Sequence, residues 1–367
     1  MSTRDAIIAQ LQLLGFSQVG VAIPDPTLNL EENYYSQWLA NQWHGQMEYL
    51  SKLSRKRLHP ELILPGLRSI IVASYFYQAP IDESEEYSIS SYTQGGDYHK
   101  KLGKKQKEFA QWFGKKFPEH RLYTETDTGP VLEKVWAKRA GLGWMGKHTN
   151  VIHPQKGSYF FLATFLTDLE LTPSTPLADH CGHCTRCIEV CPTQAIITPY
   201  QLDARLCISY LTIELRGPIP RDLRPLIGNH LFGCDDCQAV CPWNRFATSS
   251  HETIVIEQTS FEKLSLQGFL NFTEENFRQH FKGTAVLRCK YQGFIRNALV
   301  VAGNSKNNLY FESVAKRLTD PDPILRGHAV LALGQIDLQK ARAYFEMLKQ
   351  TEREPFVLEE IRSIMSF

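Results

Sequence analysis

Apolar positions change their period several times along the chain, and each change marks an element. Ile7, Leu11 and Leu14 recur at helical spacing behind Asp5, with Gly15 at the end, which predicts a short helix capped by Asp5. Val19 and Val21 then alternate as in a strand. Ser69–Tyr77 (SIIVASYFY) and Tyr159–Thr167 (YFFLATFLT) are unbroken β-branched and aromatic runs of the kind that fill buried strands. Helical spacing returns between them, with Leu102, Phe109 and Phe113 after Lys100, and Leu132, Val135, Trp136 and Ala140 before Gly141 and Gly143. Residues 1–175 therefore read as one α+β domain. It contains no G-x-G-x-x-G and no P-loop, so nothing signals a nucleotide fold.

Pro173 and Pro176 introduce a cysteine-rich block over 176–250, and 251–285 reads as a linker or helical connection. In 286–367, Ala298–Gly303 (ALVVAG) is echoed by Ala329–Gly334 (AVLALG), with Asp320-Pro321-Asp322-Pro323 between them. Helices that repeat in this way bury one face against the next copy, so the tail is expected to be an α-helical, HEAT-like repeat domain.

The 367 residues carry a formal charge of +1, so no global field attracts polyanions, and 43% hydrophobic residues suffice for real cores. No run approaches the ~20 apolar residues of a membrane span, and residues 1–20 lack the pattern of a signal or transit peptide. A cytoplasmic protein away from membranes is expected. Eight of the nine cysteines crowd between Cys181 and Cys241, which in such a compartment argues for metal over disulfides.

Cys181-x2-Cys184-x2-Cys187-x3-Cys191-Pro192 is a bacterial ferredoxin run, and Cys234-x2-Cys237-x3-Cys241-Pro242 repeats its ending with one cysteine fewer. In two-cluster ferredoxins the cysteine before proline serves the other cluster. Cys181, Cys184, Cys187 and Cys241 would then hold one 4Fe-4S cluster. Cys234, Cys237 and Cys191 would hold the second, with Cys207 as the remaining candidate in the block. Structural zinc also uses C-x2-C pairs, with His180 and His183 as conceivable ligands, but it leaves the two Cys-Pro endings unexplained. Cys289 stands apart and reads as a buried structural thiol.

Paired clusters relay electrons and bind no substrate themselves, so the first domain should hold whatever receives the electrons. Asp127-Thr128-Gly129-Pro130 offers a carboxyl that either caps a helix or donates protons in a reductive site. Gly141–Asn150 is a glycine-rich turn, suited to close approach by a large cofactor and equally to an ordinary loop. Asp97-x-His99-x3-Gly103 misses the cobalt-ligating D-x-H-x-x-G spacing by one residue, so His99 is not read as a cobalt ligand. Two stretches are locally basic. Residues 99–121 carry eight Lys/Arg against two Glu, and 280–317 carry seven against one, interleaved with Tyr291, Phe294 and Tyr310. Either could be a solvated face; the second lies on the repeats and suits a phosphate backbone.

At this point the chain resembles the epoxyqueuosine reductases, cobalamin-dependent enzymes of tRNA queuosine modification. The matching residues are Arg57-Leu58-x-Pro60 with Leu64-Pro65-Gly66, Gly96–His99, Asp127-Thr128-Gly129, Arg139–Trp144 with Gly146-Lys147, Gly157-Ser158, both cysteine runs, Arg205–Thr212, Gly233–Gln238 and Arg296–Leu299. One departure is Tyr92 behind Ser90-Ser91, where family members often place an arginine before the aromatic.

The resemblance implies reduction of the epoxide of epoxyqueuosine, at the wobble position of tRNA, to the alkene of queuosine. Electrons would pass through both clusters to base-off cobalamin with no histidine on cobalt, supplied by a flavodoxin- or ferredoxin-type donor. Asp127 would be the proton donor. Arg57, Asp127, Lys147, His148, Asn150, Val151, Ser158, Ser209 and Gln238 would contact cobalamin. The basic tail would place Lys282, Arg288, Lys290, Arg296 and Lys306 against tRNA, and the expected state is a monomer. The competing reading is a corrinoid and iron–sulfur reductase of a small molecule, similar to the dehalogenases. A non-catalytic electron carrier would leave the first domain idle.

Overall fold

The computed structural model describes residues 2–24, 29–77, 86–246 and 264–366. The chain forms two compact units that interleave in sequence. One is built from Met1–Ala79, Gly95–Ala204 and Asp235–Gln258, the other from Pro80–Gln94, Arg205–Cys234 and Thr259–Phe367.

The first unit is centred on a four-stranded antiparallel sheet. Its strands are β1 (Gln18–Ala22), β2 (Ser69–Phe76), β3 (Leu122–Glu125) and β4 (Phe160–Thr167), in the order β1-β2-β4-β3. The two unbroken apolar runs are the central strands β2 and β4, paired from Ser69↔Thr167 to Phe76↔Phe160. Successive side chains on a strand point to opposite faces, so a strand covered on both sides must be apolar throughout. On one face Ile71, Ala73 and Tyr75 pack with Ile7 and Leu11 of α1 (Thr3–Leu13) and with Leu102, Phe109 and Phe113 of α2 (Tyr98–Lys116). On the other, Ile70 and Val72 pack with Trp136 and Ala137 of α3 (Glu133–Arg139). Each such large buried side chain contributes about 1.5–3 kcal/mol relative to exposure.

The start of α1 differs from expectation. Ser2 is the cap, and Asp5 completes a reciprocal capping box, its carboxylate accepting the Ser2 N–H at 3.1 Å. The chain has room for one more polar residue before the helix, and the shorter Ser side chain takes the cap.

In the second unit, α4 (Ile208–Ile213), α5 (Lys290–Ser305), α6 (Pro323–Thr351) and α7 (Pro355–Met365) surround one apolar core with two short helices, Leu266–Leu270 and Glu274–His280. The stretch expected to be a linker therefore enters the core where it is described, through Phe269, Phe277 and Phe281; its residues 251–263 lie outside the described ones. Asp322 caps α6 and Pro323 opens it, which accounts for the DPDP sequence. Helix α5 is buried on all sides from Gly293 to Gly303. A Cβ at Gly303 would fall 2.9 Å from Ala332 Cα of α6, and one at Gly334 would fall 2.2 Å from Ile364 Cγ1 of α7. The glycine that ends each copy of the sequence echo thus marks a close crossing of the next helix, by its backbone at Gly303 and by an isoleucine side chain at Gly334.

Arg296 corrects the sequence reading. It is 1% exposed in the middle of α5 and faces no solvent. Its Nη1 donates to the carbonyls of Leu215 (2.9 Å) and Gly217 (2.7 Å), and Nη2 to that of Leu211 (2.6 Å). Neighbouring Asn297 donates to the carbonyls of Thr212 (2.8 Å) and Leu231 (3.0 Å). A cation counted in a basic run was read as surface charge; here it supplies donors to carbonyls that have no water. These bonds tie 205–234, with Cys207 and Cys234, to the tail helices. No described helix is long and apolar enough to cross a membrane.

Replacing Arg296 with alanine leaves three carbonyls unsatisfied. The expected cost is on the order of 3 kcal/mol, read as a lowered urea midpoint of the full chain.

Candidate functional site

Cys181, Cys184, Cys187 and Cys241 line one cavity of about 70 Å³, together with Lys147, His148, Ile152 and Trp243. Three belong to the first cysteine run and one to the end of the second. Burial pushes the Cys187 thiol up to about 11, and Cys241, Cys181 and Cys184 beside it add to the shift. Burial likewise raises Cys181 and Cys241. Thiols that line one cavity and resist ionising would lose their protons together only to a metal centre that supplies positive charge.

The local fold explains the gathering. Arg186–Glu189 and Asp236–Ala239 are matching four-residue helices, one in each run, packed on each other. Each is followed by the same turn into Cys-Pro, with Val190 N–H donating to Arg186 O and Val240 N–H to Asp236 O. Buried Lys147 pins the loop of the first run by donating to the carbonyls of Gly182 (2.7 Å) and Cys184 (2.9 Å). Trp144 and Trp243, edge to face at 4.8 Å, close the apolar side. His180 is exposed with its ring edge on Trp144, and His183 is exposed too. Cys191 and Cys237 belong to this unit, whereas Cys207 and Cys234 belong to the second. Cys289 is buried, donates to Val286 O at 3.2 Å and is pushed up to about 12 by burial, as a structural thiol would be.

Asp127 lies on the loop between β3 and α3 and caps no helix; the cap position of α3 is Leu132. It has φ +63°, and Thr128 N–H donates to Thr126 O across it at 2.7 Å, a tight γ-turn. Such a backbone costs about 1–3 kcal/mol and persists only where the surroundings impose it. Two carboxyl groups impose it here. Glu133 Oε2 accepts the Asp127 N–H at 3.0 Å. Glu125 accepts from Thr126 N–H (3.0 Å) and Thr128 O–H (3.3 Å). Its carboxylate lies where a Cβ on residue 129 would be, 2.0 Å away, so a side chain there would displace Glu125. Glu133 is wholly buried, and its pKa is raised well above the usual carboxylate range, by burial first and then by Asp127.

The Asp127 carboxylate is half exposed. Its Oδ2 accepts from Tyr98 O–H at 2.9 Å and meets His99 Nε2 at 3.0 Å. The other ring nitrogen of His99 meets Asp97 Oδ1 at 3.1 Å. With both nitrogens facing carboxylates, His99 has none left for a metal. Sequence reasoning considered His99 only as a ligand and passed over Tyr98, Glu125 and Glu133. The Asp-x-His spacing at the start of a helix was the available signal, since it places a cap carboxylate beside an imidazole.

The residues expected around cobalamin are distributed as follows. Arg57 is buried; Nη1 reaches Val131 O at 3.5 Å, while Nε and Nη2 have no partner. The glycine-rich turn is a hairpin in which Trp144–Met145 pairs with Val151–Ile152. At its tip His148 is held neutral, its pKa lowered to about 4 by burial, and its Nε2 is buried without a partner. Asn150 Oδ1 accepts from Lys134 at 2.8 Å. Ser158 O–H donates to Gln238 Oε1 at 3.0 Å, bringing those two together. Ser209 lies on α4 in the second unit. The unpartnered buried nitrogens of Arg57 and His148 fit a large bound group that brings its own acceptors and donors. Lys282, Arg288, Lys290 and Lys306 are exposed in the second unit, and Arg288 is held by Glu214 at 2.9 and 3.1 Å.

Residues 57–128 match the family described as "Epoxyqueuosine reductase QueG, DUF1730", and residues 180–244, which contain all eight clustered cysteines, match a 4Fe-4S double cluster binding domain. The epoxyqueuosine reductase of Pseudomonas aeruginosa is 38% identical over 330 residues, spanning 87% of this chain and 91% of that protein. A solved epoxyqueuosine reductase with an epoxyqueuosine-modified tRNA-Tyr stem loop superposes with a TM-score of 0.89, at 27% identity over 99% of this chain and 98% of that one. A Bacillus subtilis epoxyqueuosine reductase, described with an aspartate-bearing catalytic loop swung out of the active site, gives 0.88 at 27% identity over the same shares.

Cys241→Ser should lose the iron of one cluster, whereas Cys289→Ser should lose none. Iron per chain after anaerobic reconstitution reads both.

Proposed function

The chain belongs to the epoxyqueuosine reductase family, and from that membership we propose which of its residues carry the reaction and how. The protein is an oxidoreductase that reduces epoxyqueuosine to queuosine in tRNA. Taking the epoxide oxygen away as water, and leaving an alkene, consumes two electrons and two protons.

Two 4Fe-4S clusters, when bound, would supply the path for the electrons. Cys181, Cys184, Cys187 and Cys241 hold one, supported by their common cavity. Cys191, Cys207, Cys234 and Cys237 hold the other, supported by the ferredoxin exchange rule and the double-cluster match. Cobalamin, when bound, supplies electrons at a potential no side chain reaches. Arg57, His148, Asn150, Val151, Ser158, Ser209 and Gln238 would hold it. The Lys147 side chain is committed to the cysteine loop, so its part is through the backbone. His99, with both ring nitrogens engaged by carboxylates, would offer no ligand to cobalt. Asp127 protonates the epoxide oxygen as alkoxide character develops there.

The observation that carries this reading is the Asp127 turn. A strained backbone clamped by two other carboxyl groups presents one half-exposed carboxylate to a ligand. The tail helices form HEAT-like repeats whose exposed Lys282, Lys290 and Lys306, with Arg288, meet tRNA phosphates; Arg296 takes no part. A small ferredoxin- or flavodoxin-type protein is the electron donor, and the enzyme acts as a cytoplasmic monomer.

Asp127→Asn should keep both clusters and bound corrinoid yet lose turnover by about 10²–10⁴-fold, assayed as queuosine formed in tRNA by mass spectrometry. Near-normal turnover overturns its acid role. Reversing the charge of Lys282, Lys290 and Lys306 together should weaken tRNA binding and flatten its dependence on salt, with an unchanged slope returning them to plain surface.

A further inference from the structure

Both protons of the reduction end on one oxygen, but Asp127 has one carboxyl. We infer that Asp97 and His99 form a relay that recharges Asp127 within a single turnover, an inference that rests on the reading of Asp127 as the acid. His99 acts through Asp127 and is a positioning residue, touching no substrate.

Three contacts carry the inference. His99 Nε2 lies 3.0 Å from Asp127 Oδ2 and Nδ1 lies 3.1 Å from Asp97 Oδ1. A neutral imidazole donates from one nitrogen alone, so two carboxylates are satisfied together only by the imidazolium. The arrangement therefore stores a proton one hydrogen bond from the acid. Asp97 is the cap of α2 and also accepts the His99 backbone N–H at 3.1 Å, which fixes the residue at its root. The imidazole stacks on Tyr98 at 4.0 Å, and Tyr98 stacks on Phe161 of β4 at 4.2 Å and 8°. The ring is thus clamped in the plane that points Nε2 at Asp127. An ordinary solvated histidine beside a helix cap needs none of this, and it does not require Asp127 to take a left-handed backbone to reach it.

The steps balance. As the two electrons arrive from the reduced cofactors and the first C–O bond breaks, the Nε2 proton of His99 passes through the Asp127 carboxyl to the oxygen, giving a hydroxyl. His99, with 37% of its side chain exposed, regains a proton from solvent. The second C–O bond breaks as the same path protonates the leaving oxygen, and water and alkene remain. A second proton taken up from solvent then returns His99 to its starting state, and Asp127 ends as the carboxylate it began as. The groups facing the relay are Asp97, Asp127 and the Tyr98 phenol, with Glu133, Glu125 and Arg57 behind Asp127. The hydrogen bond to Asp127 and the two negative charges raise the His99 pKa against the opposing effect of burial.

The test is single-turnover conversion of an epoxyqueuosine-bearing stem loop by pre-reduced holoenzyme across pH. A raised pKa keeps His99 charged at low pH and discharges it as pH rises, so the wild-type rate should fall above a pH higher than the ordinary histidine value of 6.5. Asp97→Asn preserves the cap, since Asn caps as well as Asp, and should move that falling limb to lower pH. His99→Gln should abolish the limb and slow conversion about 100-fold, with iron content and stem-loop affinity unchanged and partial rescue by added imidazole. A limb that stays in place in Asp97→Asn, or a His99→Gln profile that superimposes on wild type, overturns the relay while leaving the acid role of Asp127 intact. Normal conversion by Asp127→Asn instead overturns the reading on which the relay rests.

Discussion

Thiols crowded into an apolar pocket resist losing their protons, and this constraint governs the first unit. Burial first, and then Cys181, Cys184 and Cys241, raise the cost of ionising Cys187; burial, with Cys181 and Cys184, does the same for Cys241, beside the edge-to-face pair Trp144 and Trp243. Only a strongly positive centre reconciles them. The architecture around them is correspondingly stiff: a buried lysine ammonium on two loop carbonyls, and a pair of matched helices. Without that support the loop of the first run, which is exposed at Cys184, would have little to hold its shape.

The same economy of charge appears at Asp127, with opposite sign. Acidic groups converge there, and the fold separates their duties by environment. Glu133 is wholly buried with a raised pKa, and serves the backbone. Glu125 is spent on the two threonines flanking Asp127 and on Tyr123. Asp97 is spent on a helix start and on His99. Asp127 alone is left half open. One carboxylate is left available here because its neighbours have taken the structural tasks.

Much of this was legible in the sequence because it depends on local pattern. The unbroken runs at Ser69–Tyr77 and Tyr159–Thr167 announced strands buried on both faces, and cysteine spacing announced which four thiols line one cavity. Other features depend on neighbours far along the chain and left no local trace. Arg296 sits among Lys and Arg in sequence, and only the fold shows that its donors face the carbonyls of Leu211, Leu215 and Gly217. The pairing of Asp127 with His99 joins residues 28 apart, and the Asp-x-His spacing suggested a ligand before it suggested a proton path. Asp5 shows the smaller error, in which the right helix start was assigned to the wrong end of a reciprocal pair.

The Arg296–Asn297 clamp has an evolutionary consequence. All of its distant acceptors are main-chain carbonyls, at Leu211, Thr212, Leu215, Gly217 and Leu231. Every amino acid offers a carbonyl, so the grip itself asks nothing of the gripped side chains, although Gly217 with φ +150° and Thr212, whose hydroxyl accepts the Gly233 N–H, are held for other reasons. Selection on this joint therefore falls almost wholly on two adjacent codons of the gripping helix. Relatives could differ widely across the loop and still hold it in the same shape.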